Sequence, residues 1–336
     1  MSEKVRVGLI GCGGIAGRHV EWFLAEEHCE IVGLCDLSEE STARRKDEIQ
    51  KLRPGSDPYV TSDHKDLLTD SNVDAVAVLL PHHLHYPFAK EALQADKHVI
   101  VEKPMVTDVE HAQDLITTAN ARDLKIAIGY QRSYLSEYQY VREMVASGEL
   151  GEIKFVSAHL EQTWGAGFRK PGGGLTWRQK PDEVGGGQLV DTGSHTIAAM
   201  LDVTGLVPKE AFAYVETDGL PVDLNTAGVV RFTNNAVATV MIGGFGHKVT
   251  EVLRVVGDKK SARIFFRTVR EQALEVDGEI VDAKSASPGS TPNANFVDAI
   301  LNGADVSANA NLGLRVAQLT EALYQSAAEH RPVVIV

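Results

Sequence analysis

The stretch from Val5 to Asp36 constrains this chain more than any other. An apolar run of strand length leads directly into a glycine turn, GCGGIA, which begins at Gly11. A helical face and a second apolar strand follow, and the carboxylate of Asp36 closes that strand 25 residues after Gly11. A dinucleotide-binding βαβ unit has this same order, namely strand, glycine turn, helix, second strand and terminal acid.

The residue types in the turn suit a bound dinucleotide. Gly11 allows a sharp exit from the strand, and Gly13 has no Cβ, so a pyrophosphate can approach the backbone. Gly14 and Ile15 lead into the helix N-terminus, where unpaired N–H groups and the positive end of the helix dipole attract phosphate. We therefore predict a dinucleotide cofactor bound at this turn.

Asp36 bears on which dinucleotide is bound. Its carboxylate can accept hydrogen bonds from both hydroxyls of the adenosine ribose, whereas a 2′-phosphate would meet a like charge. Arg44 and Arg45 follow within a helical pattern and weaken this preference without reversing it. The sequence predicts NAD, with NADP less favoured.

Composition and charge limit the other partners. The chain has 336 residues and a net charge of −13 with no basic block, which argues against nucleic acid and anionic membranes. No apolar run approaches the ~18 residues of a membrane span. The three cysteines form no CxxC pair and are expected as free thiols. With no signal-peptide pattern at the N-terminus, we expect a cytoplasmic protein.

Two domains are predicted from the order of the elements. Residues 1–129 alternate strands with helices, as expected for an α/β Rossmann domain with a doubly wound parallel sheet. Residues 130–336 carry successive alternating apolar runs without crossover helices, which predicts an α+β domain on a large open, mostly antiparallel sheet. The last predicted elements are a helix at Asn311–Glu329 and a strand at Val333–Val336. It stays open whether these two elements pack back towards the first domain.

The tripeptide Glu102-Lys103-Pro104 follows a predicted parallel strand, His98 to Val101. Ligands of open α/β sheets bind outside the carboxyl ends of the strands, so Lys103 is expected near the nicotinamide. There it could hydrogen-bond a substrate hydroxyl or take its proton. The alternative is a surface lysine in a proline turn.

Asp191 and His195 form a second candidate pair. They are four residues apart, so on one helix they share a face, and the carboxylate can orient the imidazole for acid–base work. The alternative is an N-capping aspartate and a packed histidine. The cluster of His82, His83 and His85 lies just after a strand and lacks a recognised metal-ligand spacing, so no metal is predicted.

Trp177 and Arg178 lie in a glycine-rich stretch, Gly165 to Gly187, which suits a segment that covers a substrate. Two interpretations stay open. Arg178 either forms a surface ion pair with Glu161 or Asp182, or the pair contacts the nicotinamide face or a substrate hydroxyl.

Several segments together resemble the glucose–fructose oxidoreductase and inositol dehydrogenase (Gfo/Idh/MocA) family, in order and over nearly the whole chain. They are GLIGCGGIAGRH, LPHHLHYPFAKEALQADKHVIVEKP, LGEIKFV, TWRQKPDEVGGGQLVDTGSH and NLGLRVAQLTEALYQSAAEHRPV. The resemblance implies a tightly held NAD(P), a sugar, cyclitol or related polyol substrate, and a C-terminal sheet that forms homodimers or homotetramers.

The resemblance also implies roles for single residues. His195 matches the family's acid–base group, Asp191 orients it or binds a substrate hydroxyl, and Lys103 positions the substrate. A cis bond is implied before the proline that follows Lys103. The positions that match cofactor contacts are Ile15, His85, Glu102, Gln131, Trp177 and Arg178.

Two departures concern substrate preference and local cofactor fit. Ala198 stands where many members carry Asp, and Leu80-Pro81-His82 stands where many have Thr-Pro-Asn. Two other functions stay open beside a dehydrogenase. One is a lyase or hydrolase that retains its NAD and oxidises the substrate only transiently, and the other is a non-catalytic dinucleotide-binding module.

Overall fold

The computed structural model describes residues 4–165, 176–268 and 271–336, and of residues 267 and 268 only the backbone. The chain divides into two compact units. The first contains the residues up to Val106, Glu110–Gly129 and Ser290–Asn311, and the second contains Thr107–Val109, Tyr130–Gly289 and Leu312–Val336. Residues 290–311, which the sequence analysis assigned to the second domain, thus belong to the first unit.

The first unit is built on a six-stranded parallel sheet in the order β3-β2-β1-β4-β5-β6, the Rossmann order. The predicted doubly wound sheet is confirmed. Its strands are β1 (Val5–Ile10), β2 (Cys29–Cys35), β3 (Tyr59–Thr61), β4 (Ala75–Val78), β5 (His98–Val101) and β6 (Ile126–Ile128). The helices between them are α1 (Ala16–Ala25), α2 (Glu39–Leu52), α3 (His64–Thr69), α4 (His85–Gln94) and α5 (Val109–Ala121).

Burial explains why these segments are strands. All four residues of β4 are buried, as are Val99, Ile100 and Val101 of β5, because a parallel sheet between helices has no solvent-facing side. On α1 the side chains of Val20 and Phe23 are fully buried against this sheet. Helix α2 begins after Ser38, whose hydroxyl accepts the Ser41 N–H at 3.2 Å and so caps the helix.

The carboxyl ends of three strands meet at one edge of the sheet. Ile10, Val78 and Val101 are register neighbours across β1, β4 and β5. The glycine turn after β1 and the Glu102-Lys103-Pro104 turn after β5 therefore emerge at the same edge. This is the edge at which open α/β sheets bind ligands.

The second unit is built on a nine-stranded sheet in the order β14-β13-β12-β11-β7-β10-β9-β8-β15. Among the described strands of this nine-stranded sheet, only β7 and β10 pair in parallel, so the predicted mostly antiparallel sheet is confirmed. The strands are β7 (Ile153–Glu161), β8 (Pro208–Glu216), β9 (Asn225–Phe232), β10 (Val237–Gly243), β11 (Thr250–Gly257), β12 (Ser261–Thr268), β13 (Glu271–Val276), β14 (Glu279–Val281) and β15 (Val333–Val334). Strand β13 was not predicted from the sequence.

The remaining helices are α6 (Ser136–Ala146), α7 (Pro181–Val184), α8 (Gln188–Asp191), α9 (Gly193–Thr204), α10 (Ala283–Ala286), α11 (Pro292–Asn302) and α12 (Ala310–Glu329). Helix α12 packs on β8 and β9. The Ser326 hydroxyl accepts the Ala213 N–H at 2.9 Å, and a Cβ on Gly228 would lie 2.8 Å from Leu323. One face of β9 and β10 is therefore buried, and the alternate residues are exposed.

Candidate active site

The glycine turn of the first unit is open where a phosphate would approach. Gly11 has a φ of +97°, and a Cβ there would lie 2.5 Å from the Leu79 carbonyl oxygen. Gly13 and Gly14 face open space, with no atom within 4 Å of an added Cβ. Helix α1 begins just after Ile15 with no side-chain cap, so its first N–H groups are available to an anion. The turn fits a pyrophosphate.

Asp36 braces this turn. Its Oδ2 accepts the Cys12 N–H at 2.7 Å and its Oδ1 accepts the Ser38 N–H at 2.8 Å. The side chain is only half-buried, and each carboxylate oxygen has a second lone pair. The same group can therefore hold the turn and accept ribose hydroxyls.

Lys103 lies directly after β5 and is half-buried, and the peptide bond between it and Pro104 is cis, as the resemblance implies. Its neighbour Glu102 is 8% exposed, with its carboxylate turned inward to His19. Burial raises the pKa of Glu102, but His19, Lys103 and His85 outweigh it and leave this pKa below the ordinary value. Glu102 thus remains a carboxylate inside the first unit.

His85 is fully buried at the start of α4. Its ring nitrogens lie 2.7 Å from the carbonyl oxygens of Leu80 and Pro104. Burial and the nearby His82 lower its pKa to about 4 against the opposing effect of these carbonyls. The ring therefore ties the exit of β4 to the turn that carries Lys103, a position that the resemblance had assigned to cofactor contact.

Asp191 of the second unit is 1% exposed and strongly bound. Its Oδ2 accepts the indole N–H of Trp164 and the Nε–H of Arg178, each at 3.0 Å. The guanidinium of Arg178 also lies 4.3 Å from the centre of the Trp177 ring. One of the two open interpretations, a surface ion pair of Arg178 with Glu161 or Asp182, is therefore wrong. Arg178 pairs with the buried Asp191 instead.

The single helix predicted from Asp191 is wrong at its start. Asp191 ends α8, and α9 begins at Gly193 with Thr192 as its N-cap residue. The Thr192 hydroxyl accepts a hydrogen bond from the Gln162 amide at 2.5 Å. Asp191 therefore does not cap the helix of His195, and the two residues belong to successive helices.

His195 lies in the first turn of α9 and is 8% exposed. Its ring meets that of Tyr130 edge-on, with centroids 5.8 Å apart and planes at 76°. The imidazole thus packs against an aromatic ring, and it lies four residues after the buried Asp191 in the sequence.

Three glycines before α8 fit a tight corner. Gly185 and Gly186 have φ angles of +79° and +150°, and Cβ atoms there would lie 2.4 Å from the Thr107 and Tyr324 side chains. The Tyr324 hydroxyl donates to buried Asp223, whose other oxygen accepts the Leu189 N–H at 2.9 Å. The corner that leads to Asp191 is therefore braced from two distant segments.

Trp164, Asp223 and Tyr324 were not predicted from the sequence. The chain places each of them far from a recognisable motif, and only the position of Trp164 just before the glycine-rich stretch was a signal. Residues 166–175 of that stretch lie outside the described residues.

The structure divides the predicted residues between the two units. The first unit brings together the glycine turn, Asp36 and Lys103, and the second brings together Asp191, His195 and Arg178. Gln131 is exposed in a 3₁₀ turn of the second unit, beside Arg132, which forms a buried ion pair with Glu251.

No group of three or more His, Cys, Asp or Glu side chains in ranges 4–165, 176–268 and 271–336 is arranged to hold a metal ion. Over the same ranges, no helix has the length and apolar character needed to span a bilayer.

An open glycine turn and a terminal acid on a Rossmann sheet define a dinucleotide-binding protein. Residues 5–130 match the oxidoreductase family with the NAD-binding Rossmann fold, and residues 138–263 match the GFO/IDH/MocA C-terminal domain. The chain therefore belongs to the Gfo/Idh/MocA oxidoreductase family, and its first unit carries the NAD-binding Rossmann domain. The predicted family and cofactor class are confirmed.

Individual proteins show how far the similarity extends. The D-glucoside 3-dehydrogenase of Escherichia coli K12 is 26% identical over 360 residues, spanning 97% of this chain and 96% of that protein. The uncharacterized oxidoreductase YdgJ of the same organism is 27% identical over 206 residues, so the chain covers only 55% of its length. Levoglucosan dehydrogenase in complex with NADH and levoglucosan superposes with a TM-score of 0.88 at 21% identity, covering 99% of this chain and 100% of that one. At that identity the last similarity shows the fold alone.

Proposed function

We propose that the protein is an NAD-dependent dehydrogenase or reductase that interconverts a secondary alcohol and a ketone on a sugar, cyclitol or related polyol. The observation that carries the proposal is the setting of Asp191. A carboxylate 1% exposed and bound by an indole and a guanidinium stands four residues before His195, in a chain of an oxidoreductase family. Two similar proteins, D-glucoside 3-dehydrogenase and levoglucosan dehydrogenase, are named for sugar-type substrates.

In the proposed reaction, side chains of this protein bind the substrate and transfer the hydroxyl proton. When bound at the glycine turn, NAD would supply the hydride acceptor for this oxidation. His195 takes the hydroxyl proton as the C–O single bond becomes a carbonyl, and returns that proton in the reverse direction. The Lys103 ammonium donates a hydrogen bond to the same oxygen. Asp191 orients the imidazole or accepts a hydrogen bond from a neighbouring hydroxyl.

The cofactor is proposed to bind at the glycine turn of the first unit. Gly13, Gly14 and the α1 N-terminus hold the pyrophosphate, and Asp36 holds the ribose and favours NAD over NADP. Gln131, Trp177 and Arg178 stay predicted contacts of the cofactor or substrate.

We further propose a homodimer or homotetramer formed through the outer face of the nine-stranded sheet. This outer face is defined here by Phe212, Tyr214, Val229, Val237, Thr239 and Met241. Tyr214 is 69% exposed and Val229 52%, and the rows Phe212–Val229–Thr239 and Tyr214–Ala227–Met241 lie in register. A contiguous apolar patch on a sheet marks an interaction site. We also place the enzyme in the cytoplasm, a proposal supported by its three free cysteines.

The proposed function is tested by following the absorbance of NADH and NADPH with a panel of polyols, inositols and sugar acids. We expect turnover with NAD, and a kcat lower by about 10²–10⁴-fold in Lys103→Ala and in His195→Ala. Lys125→Ala and His98→Gln are matched controls, because both residues lie at the opposite edge of the parallel sheet. Near-normal turnover of the first two variants would reject the assigned roles. A protein that holds NAD stoichiometrically and produces no net NADH would favour the retained-cofactor reaction instead.

A further inference from the structure

The interior of the first unit contains a chain of polar side chains that the proposed reaction does not use. It consists of His19 on α1, Glu102 after β5 and Asn293 on α11, which are 0%, 8% and 0% exposed. The His19 Nε2 lies 3.0 Å from Glu102 Oε1, and the Asn293 amide nitrogen lies 3.1 Å from His19 Nδ1. We call these three residues the interior relay.

The hydrogen bonds give the interior relay a direction. With the Asn293 amide donating to Nδ1, the imidazole proton lies on Nε2 and is donated to the Glu102 carboxylate. The second carboxylate oxygen, Oε2, accepts the backbone N–H of Lys103 at 3.2 Å. Asn293 thus fixes the ring, the ring fixes the carboxylate, and the carboxylate fixes the backbone of Lys103.

Polar groups buried this deeply are costly unless they are bonded, so such an arrangement needs a reason. The surrounding backbone is shaped to admit it. A Cβ on Gly129, at the end of β6, would lie 2.6 Å from Glu102 Oε1, so any other residue at position 129 would collide with the carboxylate. If packing were the only requirement, two apolar side chains in place of His19 and Glu102 would fill this space without needing hydrogen-bond partners or a glycine at position 129.

The positions of the two ends suggest the purpose. His19 lies one turn inside α1, whose uncapped N-terminus faces the open glycine turn. Glu102 is bonded to the backbone of the lysine placed at the reactive end of the site. The interior relay therefore links the phosphate-binding end of the cofactor site to Lys103 through protein alone.

We propose that His19, Glu102 and Asn293 are positioning residues that couple occupation of the α1 N-terminus by a diphosphate to the orientation of Lys103. The use of this coupling in catalysis rests on the proposed function, but the coupling itself does not. Asn293 belongs to the segment 290–311 that joins the first unit from far along the chain. That segment thereby acquires a role in the site besides packing.

ADP is the probe that isolates this coupling, because it carries a diphosphate for the helix N-terminus but no nicotinamide to shield Lys103. The rate at which an acetylating reagent modifies Lys103 is measured by peptide mass spectrometry, without ADP and at ADP saturation in each variant. In the unaltered protein we expect ADP to change this rate about fivefold or more.

The variants decide whether the signal passes through the relay. The ADP response should be lost in His19→Leu, weakened in Asn293→Ala and kept in His19→Gln, whose amide can still donate to Glu102. His98→Gln is the matched control, since His98 lies at the other end of β5 and accepts the Lys125 N–H at 3.0 Å. If His19→Leu does not fold, as judged by its thermal transition, Asn293→Ala takes its place. An absent response in the unaltered protein, or an equal one in His19→Leu, would overturn the proposal.

Kinetics separate this inference from the proposed function. If the enzyme turns over a polyol, His19→Leu should lower kcat about 10–100-fold with a smaller change in the substrate KM. Added to Lys103→Ala, the same substitution should lower kcat no further, because it acts through Lys103. Full additivity would contradict a positioning role. A normal ADP response in a protein that oxidises no polyol would leave the relay intact and reject only the reaction.

Discussion

At the scale of single residues, Asp36 shows how one side chain serves both the fold and the cofactor. Its two oxygens already accept N–H groups, from Cys12 in the glycine turn and from Ser38 just after β2. The carboxylate is therefore fixed before any ligand arrives, and its charge cannot turn away from a 2′-phosphate. Selectivity for NAD should follow from this fixed charge.

We expect Asp36→Ser to lower the NAD-over-NADP ratio of kcat/KM by about tenfold or more, because a like-charge repulsion of roughly 1–2 kcal/mol is removed. Serine retains a short acceptor for the turn. Steady-state kinetics with both cofactors measure the ratio. Glu39→Gln, an acid exposed in the first turn of α2, is the control for a general change in charge. An unchanged ratio in Asp36→Ser would remove Asp36 from cofactor selection.

The residue scale is also where sequence reasoning reaches its limit. The sequence pattern put Glu102 after β5 and His85 after β4, and the structure has both there, with their side chains buried instead of exposed to solvent. A sequence motif fixes the position of a residue along the chain, but the direction of its side chain depends on neighbours such as His19 and Asn293. Those neighbours are 83 and 274 residues away from their partners, beyond any local signal.

At the scale of elements, the glycine corner before α8 constrains the backbone of the second unit close to Asp191. Gly186→Ala should destabilise the fold by about 1–3 kcal/mol because its φ of +150° suits glycine and its Cβ would strike Tyr324. It should also lower kcat, since the corner aims Asp191. Urea unfolding and turnover measure the two effects.

Gly278→Ala is the matched control for this corner, because Gly278 has a φ of +92° in a hairpin and open space around it. It should cost about 1 kcal/mol from strain and leave turnover unchanged. Equal losses of activity in both variants would show that the corner has no special role in the site.

Asp223 makes the stability of this corner depend on pH. Burial raises its pKa above the ordinary 3.8 despite the hydrogen bonds from Tyr324 and Leu189. The folded protein thus binds this proton more tightly than the unfolded chain does. The resulting stability is complete below the unfolded pKa and is lost as pH rises through the folded pKa.

We therefore expect the unfolding free energy of the unaltered protein to fall relative to Asp223→Asn as pH rises above about 4. Urea midpoints over an acid-to-neutral series measure the difference. Asp282→Asn should give the opposite sign, because hydrogen bonds, first from Ser285, lower the pKa of Asp282. A difference that does not vary with pH would contradict a raised pKa for Asp223.

Element prediction succeeded where the period was clear and failed where it was not. The alternation in β9 and β10 and the apolar runs of β4 and β5 were sufficient to identify the two sheets. β13 was missed because its consecutive buried pair, Ala273 and Leu274, breaks the alternation. The break between α8 and α9 was missed because Gln188–Asp191 and Gly193–Leu201 are all buried, so neither segment has an amphipathic period that could mark it.

At the scale of the whole molecule, each of the two units is built from segments that are not contiguous in the sequence. Residues 290–311 complete the first unit, because their side chains Phe296 and Val297 are buried in its hydrophobic core. Periodicity predicts a helix from Pro292 to Leu301, but it carries no information about which unit that helix joins. Such a choice is made by tertiary packing alone.

The outer face of the nine-stranded sheet gives the last prediction. A glutamate in its centre would have to be buried on assembly without a partner, so Val229→Glu combined with Met241→Glu should shift the protein to monomers. Light scattering coupled to size-exclusion chromatography measures the mass. Val60→Glu is the control, since Val60 is a 47% exposed strand valine in the first unit and 52% of Val229 is exposed. An oligomer of unchanged mass in the double variant, or a monomer in the unaltered protein, would reject assembly through this face.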